Sequence, residues 1–160
     1  MKLSPDETAI QKNFLPGVLT KDGFLGNDPR HVHDIIEEDR RTLARAGISP
    51  EQIADKLDFF IQEGKKGLEG TVDLGAYTIQ VFWQRGVLPS PFGGPGLYPK
   101  ILARLCKKAT SHCIRYSELN VHLIRAHCFF EGNGSSYRLD PAELIPFLEL
   151  GSTDEREDDV

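Results

Sequence analysis

The spacing of apolar residues divides the chain near residue 65. Before that point it follows a helical period. Val32, Ile35, Ile36 and Leu43 form one apolar face, running from an Asp28-Pro29 start signal to Gly47. Ile53, Leu57, Phe60 and Ile61 form a second face behind the capping box of Ser49 and Gln52. Together they predict a helical hairpin. A shorter helix to about Asn13 is expected from Ser4-Pro5-Asp6-Glu7, which supplies an N-cap, a proline at the first helical position and acids in the first turn. The intervening "GVLTKDGFLGN" reads as an irregular connection.

After Gly64-Lys65-Lys66-Gly67 the pattern alternates. "TVDLGAYTIQVFWQR" splits at Gly75-Ala76 into two strands, the second with Tyr77, Ile79, Val81 and Trp83 on one face and mostly polar residues on the other. Four prolines and four glycines between Gly86 and Lys100 then predict a long irregular loop. "ILARLC" suits either helix or strand; the strand is preferred and "HCIRY" completes a second hairpin. Ser117 and Asn120 open a helix through His127 whose apolar residues surround it so widely that it is read as the buried one. Asp140-Pro141 caps a last helix with Leu144, Phe147 and Leu148 inward. The fold class is therefore α+β, with an N-terminal helical hairpin, a small mostly antiparallel sheet and a buried C-terminal helix.

Composition narrows the class. With 160 residues, 39% hydrophobic and 27% charged, the chain suits one globular domain, taken as residues 1–150. The last ten residues, 151–160, hold five acids against one arginine and so contribute −4 of the net −5; they read as an acidic disordered tail. No run approaches the ~20 apolar residues that span a bilayer, and acids occupy the start where a signal peptide is apolar, so a cytoplasmic location and no membrane partner are expected. "TLARAGISPEQIADKL" resembles a helix-turn-helix reader, yet Glu51, Asp55, Asp58 and Glu63 against Lys56 on its second helix argue against nucleic acid. Cys106, Cys113 and Cys128 are odd in number and lack CxxC spacing, so reduced thiols are expected.

Candidate chemistry concentrates in "HCFFEGNGSSYR", His127 to Arg138. A histidine, a carboxylate, a Gly-Asn-Gly turn and an arginine in that order can serve phosphate chemistry, with base, divalent-ion ligand, backbone N–H nest and cationic clamp supplied in turn. The stretch resembles the HxFx(D/E)GNGRxxR signature of Fic-domain nucleotidyl transferases, and "YTIQVFWQRGVLPSPF" is loosely similar to that family's target-positioning flap. The resemblance implies ATP and Mg²⁺ as cofactors, His127 as base, Glu131 as metal ligand and Arg138 as terminal-phosphate clamp. Two departures stand against it: the signature's first arginine is Ser135, and the proline after its histidine is Cys128. A longer block, "SELNVHLIRAHCFFEGNGSSYRLDPAEL", is similar to small bacterial cytosolic proteins of no assigned activity, which implies that the glycine turn belongs to a shared scaffold.

The reading preferred from the residues is a binding or interaction module whose partner is a protein or a small anion. The anion would be held at Gly132, Asn133, Gly134, Ser135 and Arg138, without a cofactor. The degenerate Fic-like transferase is one alternative. A Zn²⁺ protein using Cys113, His122, His127 and Cys128 is another, weakened by the lack of ligand spacing. His31 and His33 are read as a solvated helix start, because i and i+2 on a helix point apart.

Overall fold

The computed structural model describes residues 5–151, so the Ser4 cap and the acidic tail from 152 lie outside the described residues. Among those described, five helices and a four-stranded antiparallel sheet make an α+β fold. The order is α1 (Pro5–Lys12), α2 (Val32–Ala46), α3 (Pro50–Lys65), β1 (Val72–Leu74), β2 (Tyr77–Pro89), β3 (Leu97–Lys107), β4 (His112–Ser117), α4 (Glu118–His127) and α5 (Pro141–Phe147). The strands lie in the order β1-β2-β3-β4, with short turns between β1 and β2 and between β3 and β4 and a longer loop between β2 and β3. Among the described residues no helix is long and apolar enough to cross a membrane.

The helical stripes become the core. Gly47 ends α2 in the left-handed conformation and Ser49 opens α3 with its capping box, so the two helices are consecutive with a sharp bend between them. Ile53, Leu57, Phe60 and Ile61 of α3 are buried against the sheet face of Ile79, Val81, Ala103 and Leu105, while α4 packs on α3 and β3. Gly64 lets α3 approach β2, where an added Cβ would meet Val81 Cγ2 at 2.5 Å. Tyr116, fully buried, donates its hydroxyl to the Leu57 carbonyl at 2.7 Å and ties sheet to helix. At the C-terminal end Tyr77 donates to the Phe147 carbonyl at 2.6 Å.

Four expectations are corrected. The segment from Gly86 to Lys100 is paired at both ends, where Val87, Leu88 and Pro89 face Pro99, Tyr98 and Leu97, and the loop is confined to 90–96. β1 reaches only Ile79 and β4 only Leu102, so both outer edges of this ribbon are unpaired, the setting in which a strand tolerates prolines. Gly86, at φ 102°, sits in the register shift between Gln84 and Val87. α2 begins at Val32 with His31 as N-cap, not at Asp28-Pro29, because the Asp28 carboxylate is engaged by Arg30 and by the Asn133 N–H. The rings of His31 and His33 stack at 4.9 Å, since His31 lies outside the helix and is free of its geometry. Finally, Cys106 and Cys113 form a disulfide: they are cross-strand partners on β3 and β4, with Cα atoms 4.0 Å apart.

Candidate functional site

The turn at the centre of the sequence motif is built by close backbone approach. The segment Gly23–Asp28 lies along Gly132–Ser135, with the Gly132 N–H on the Phe24 carbonyl at 2.9 Å and the Asn27 N–H on the Asn133 carbonyl at 3.2 Å. The Asn133 N–H donates to Asp28 Oδ2 at 3.1 Å and the Ser135 N–H to the Gly132 carbonyl at 3.1 Å. Three of the donors expected to cradle an anion therefore serve the chain's own acceptors, and one already holds a carboxylate. Asp28 itself is held well below the usual carboxylate range, first by the Arg30 side chain and then by the Asn133 and Arg30 amides.

The three side chains assigned Fic-like roles turn to three different partners. His127, half-buried at the end of α4, stacks on Phe92 of the 90–96 loop with ring centroids 4.0 Å apart. Arg138 grips Asp39 of α2 through both terminal nitrogens, at 2.5 and 2.9 Å, and also donates to the Glu131 carbonyl at 2.9 Å. The Glu131 carboxylate receives the Asn120 side-chain amide at 2.6 Å and the Ser135 hydroxyl. The Zn²⁺ set is not assembled either. Cys113 is bonded to Cys106, Cys128 is buried as the left-handed cap of α4, and among the described residues no group of three or more His, Cys, Asp or Glu is placed to hold a metal ion.

Glu131, Gly134 and Ser135 meet elsewhere, in the wall of a cavity of about 390 Å³. Its apolar lining is Phe24 from the first loop, Leu88 and Leu102 from the β2–β3 ribbon and Leu119 from α4. Leu102 alternates with the core residues Ile101 and Ala103, so the cavity opens on the sheet face opposite α3. Lys21 and Lys100 stand at the solvent side, and Asn120 and Glu131 within. Only 3% of Glu131 is exposed, and its backbone adopts φ 68°, a left-handed conformation that a residue with a Cβ seldom takes.

The polar floor is a relay. The Ser117 backbone N–H and hydroxyl both donate to the Asn120 carbonyl oxygen, which leaves the Asn120 amide nitrogen to donate to Glu131. The capping box of α4 thus fixes a group that holds the carboxylate. Burial pushes the Glu131 carboxyl up, while the Ser135 and Asn120 hydrogen bonds pull it back. No lysine, arginine or histidine among the described residues pairs with it. Asn120, Lys21 and Lys100 were not sequence candidates; only the spacing of Ser117 and Asn120 carried a signal, and it pointed to capping.

A second polar cluster closes the ribbon onto the body. Tyr98 stacks on His122 at 4.6 Å, His122 and His127 meet edge to face at 5.9 Å, and Asn13 donates to the Pro91 carbonyl at 3.1 Å. Burial pushes both imidazoles below their ordinary value, and His122 adds to the effect on His127. A histidine depressed by folding contributes stability that is complete above its unfolded value of about 6.5 and is lost as pH falls through its folded value. Thermal unfolding followed from pH 8 to 5 is expected to show this loss, and His122→Phe/His127→Phe, which keeps the stacking surfaces, is expected to flatten it. Parallel profiles for the two proteins would refute the assignment.

No protein-family model, curated protein or solved structure matches the chain.

Proposed function

We propose that the chain is a small-molecule-binding module whose ligand occupies the cavity between the first loop, the β2–β3 ribbon, the start of α4 and the 131–137 segment. The observation that carries this reading is Glu131. A buried carboxylate with no cation partner among the described residues and a non-glycine residue at positive φ are each costs of about 1–3 kcal/mol, and here both fall on one residue in a cavity wall. Such costs cluster where a group is held ready for a ligand. A volume of about 390 Å³, apolar walls and a few convergent polar groups are the usual composition of a small-ligand site.

The reading is tested by ligand-observed NMR with a fragment library, followed by mapping of amide shifts. Hits are expected to move the amides of Asn120 and Ser135 and to be abolished by Leu102→Trp, which fills the cavity. Hits that map to other surfaces, or survive Leu102→Trp unchanged, would count against it.

Glu131→Gln separates binding from stability. The Glu131 carboxyl is raised above its ordinary 4.5, so its contribution to stability is complete at pH below that value and is lost as pH rises through the folded value. At neutral pH the ionised form is a burden that glutamine removes, while glutamine still accepts from Asn120. The variant is expected to gain on the order of 1 kcal/mol in urea denaturation at pH 7, with the gain shrinking toward pH 4. A loss of stability at pH 7 would show that Glu131 serves the scaffold alone.

A further inference from the structure

We infer that the ligand is an amino-acid-like zwitterion, its ammonium group seated on Glu131 and its carboxylate at Lys21 and Lys100. The inference rests on the cavity being a ligand site and adds the class of molecule. Inside, the Glu131 carboxylate accepts from two neutral donors, the Asn120 amide and the Ser135 hydroxyl, and among the described residues it meets no cation. Each carboxylate oxygen can accept a second hydrogen bond, and an ammonium group brings both donors and the missing charge.

At the solvent side the sign reverses. Lys21 and Lys100 line the opening, neither is ion-paired among the described residues, and Asp22 beside them leaves the rim net positive. A simple amine would be opposed by the rim, and a simple acid by Glu131. A molecule carrying both charges satisfies each end. Between the ends lie Leu88, Leu102 and Leu119, which favour an apolar spacer or side chain over a polyol. The rim charges also raise the capture rate of an acid group.

Isothermal titration with 6-aminohexanoate, leucine, hexylamine, hexanoate and hexanol distinguishes the possibilities. One of the two zwitterions is expected to bind at least tenfold more tightly than each singly charged or neutral analogue. Glu131→Gln is expected to weaken it by about ten- to a hundredfold, the size of a lost charged hydrogen bond. Lys100→Gln, a change at the rim that leaves the core untouched, is expected to weaken it several-fold, more at low salt than at high salt. Equal or tighter binding of hexylamine or hexanol overturns the zwitterion and leaves the cavity reading in place. So does silence from all five probes when library fragments still bind there. Silence from probes and library alike removes both.

Discussion

Arg138→Met is expected to destabilise the protein by about 3–5 kcal/mol at pH 7, the cost of leaving one member of a buried ion pair without its partner. The partner is Asp39, 5% exposed on the inner side of α2, which Arg138 binds through two parallel hydrogen bonds. The same guanidinium reaches the Glu131 carbonyl, so it joins α2 to the segment that carries the cavity carboxylate. Burial pushes the Asp39 carboxyl up, and Arg138 is the group that opposes this. Without Arg138 the carboxyl rises further, and the variant avoids the penalty only by protonating Asp39. The deficit is therefore expected to shrink as pH falls toward 4, and Asp39→Asn/Arg138→Met is expected to recover much of it at pH 7. Urea denaturation of the three proteins across that range is the measurement. A deficit under about 1 kcal/mol, or one that does not change with pH, would show that the pair behaves as an exposed ion pair.

This role for Arg138 differs from the one its sequence position suggests, and the difference shows what could be read in advance. Asp39 occupies the apolar stripe of α2, three residues after Ile36 and four before Leu43, so its burial was legible in the helical period. A buried aspartate calls for a cation, but nothing in the chain's order says that the cation lies 99 residues on. The helices and hairpins were legible for the same periodic reason. The disulfide was legible only through register: once "KKATS" is a turn between strands, Cys106 and Cys113 fall opposite each other, and cysteine counting alone misses it. The proline-glycine ribbon was hidden because composition reports the preferences of a residue and not whether a strand edge is paired. The cavity was illegible altogether. Its lining comes from residues 20–26, 84–102, 117–120 and 131–137, and only the folded chain places Leu88 and Lys100 across from Glu131.

Gly132→Ala is expected to cost about 3 kcal/mol or more, although the residue has no positive φ and an alanine there breaks no local rule. The reason is tertiary. A Cβ on Gly132 would lie 2.3 Å from the Leu25 carbonyl oxygen and 2.7 Å from its Cα, and both are backbone atoms that cannot rotate aside. Reciprocally, a Cβ on Gly26 would lie 2.3 Å from the Ser135 nitrogen. The two segments touch main chain to main chain, so the substitution must push them apart and weaken the hydrogen bonds from Gly132 to Phe24 and from Asn27 to Asn133, each worth about 1 kcal/mol net. Asn133→Ala is the control. Its side chain is exposed, its backbone bonds survive, and its expected effect stays within about 0.5 kcal/mol. If the two variants unfold at the same urea concentration, close approach does not explain the glycine. If Gly132→Ala alone unfolds early, this glycine of the motif is there to seat the first loop, and that loop supplies Phe24 and Lys21 to the cavity.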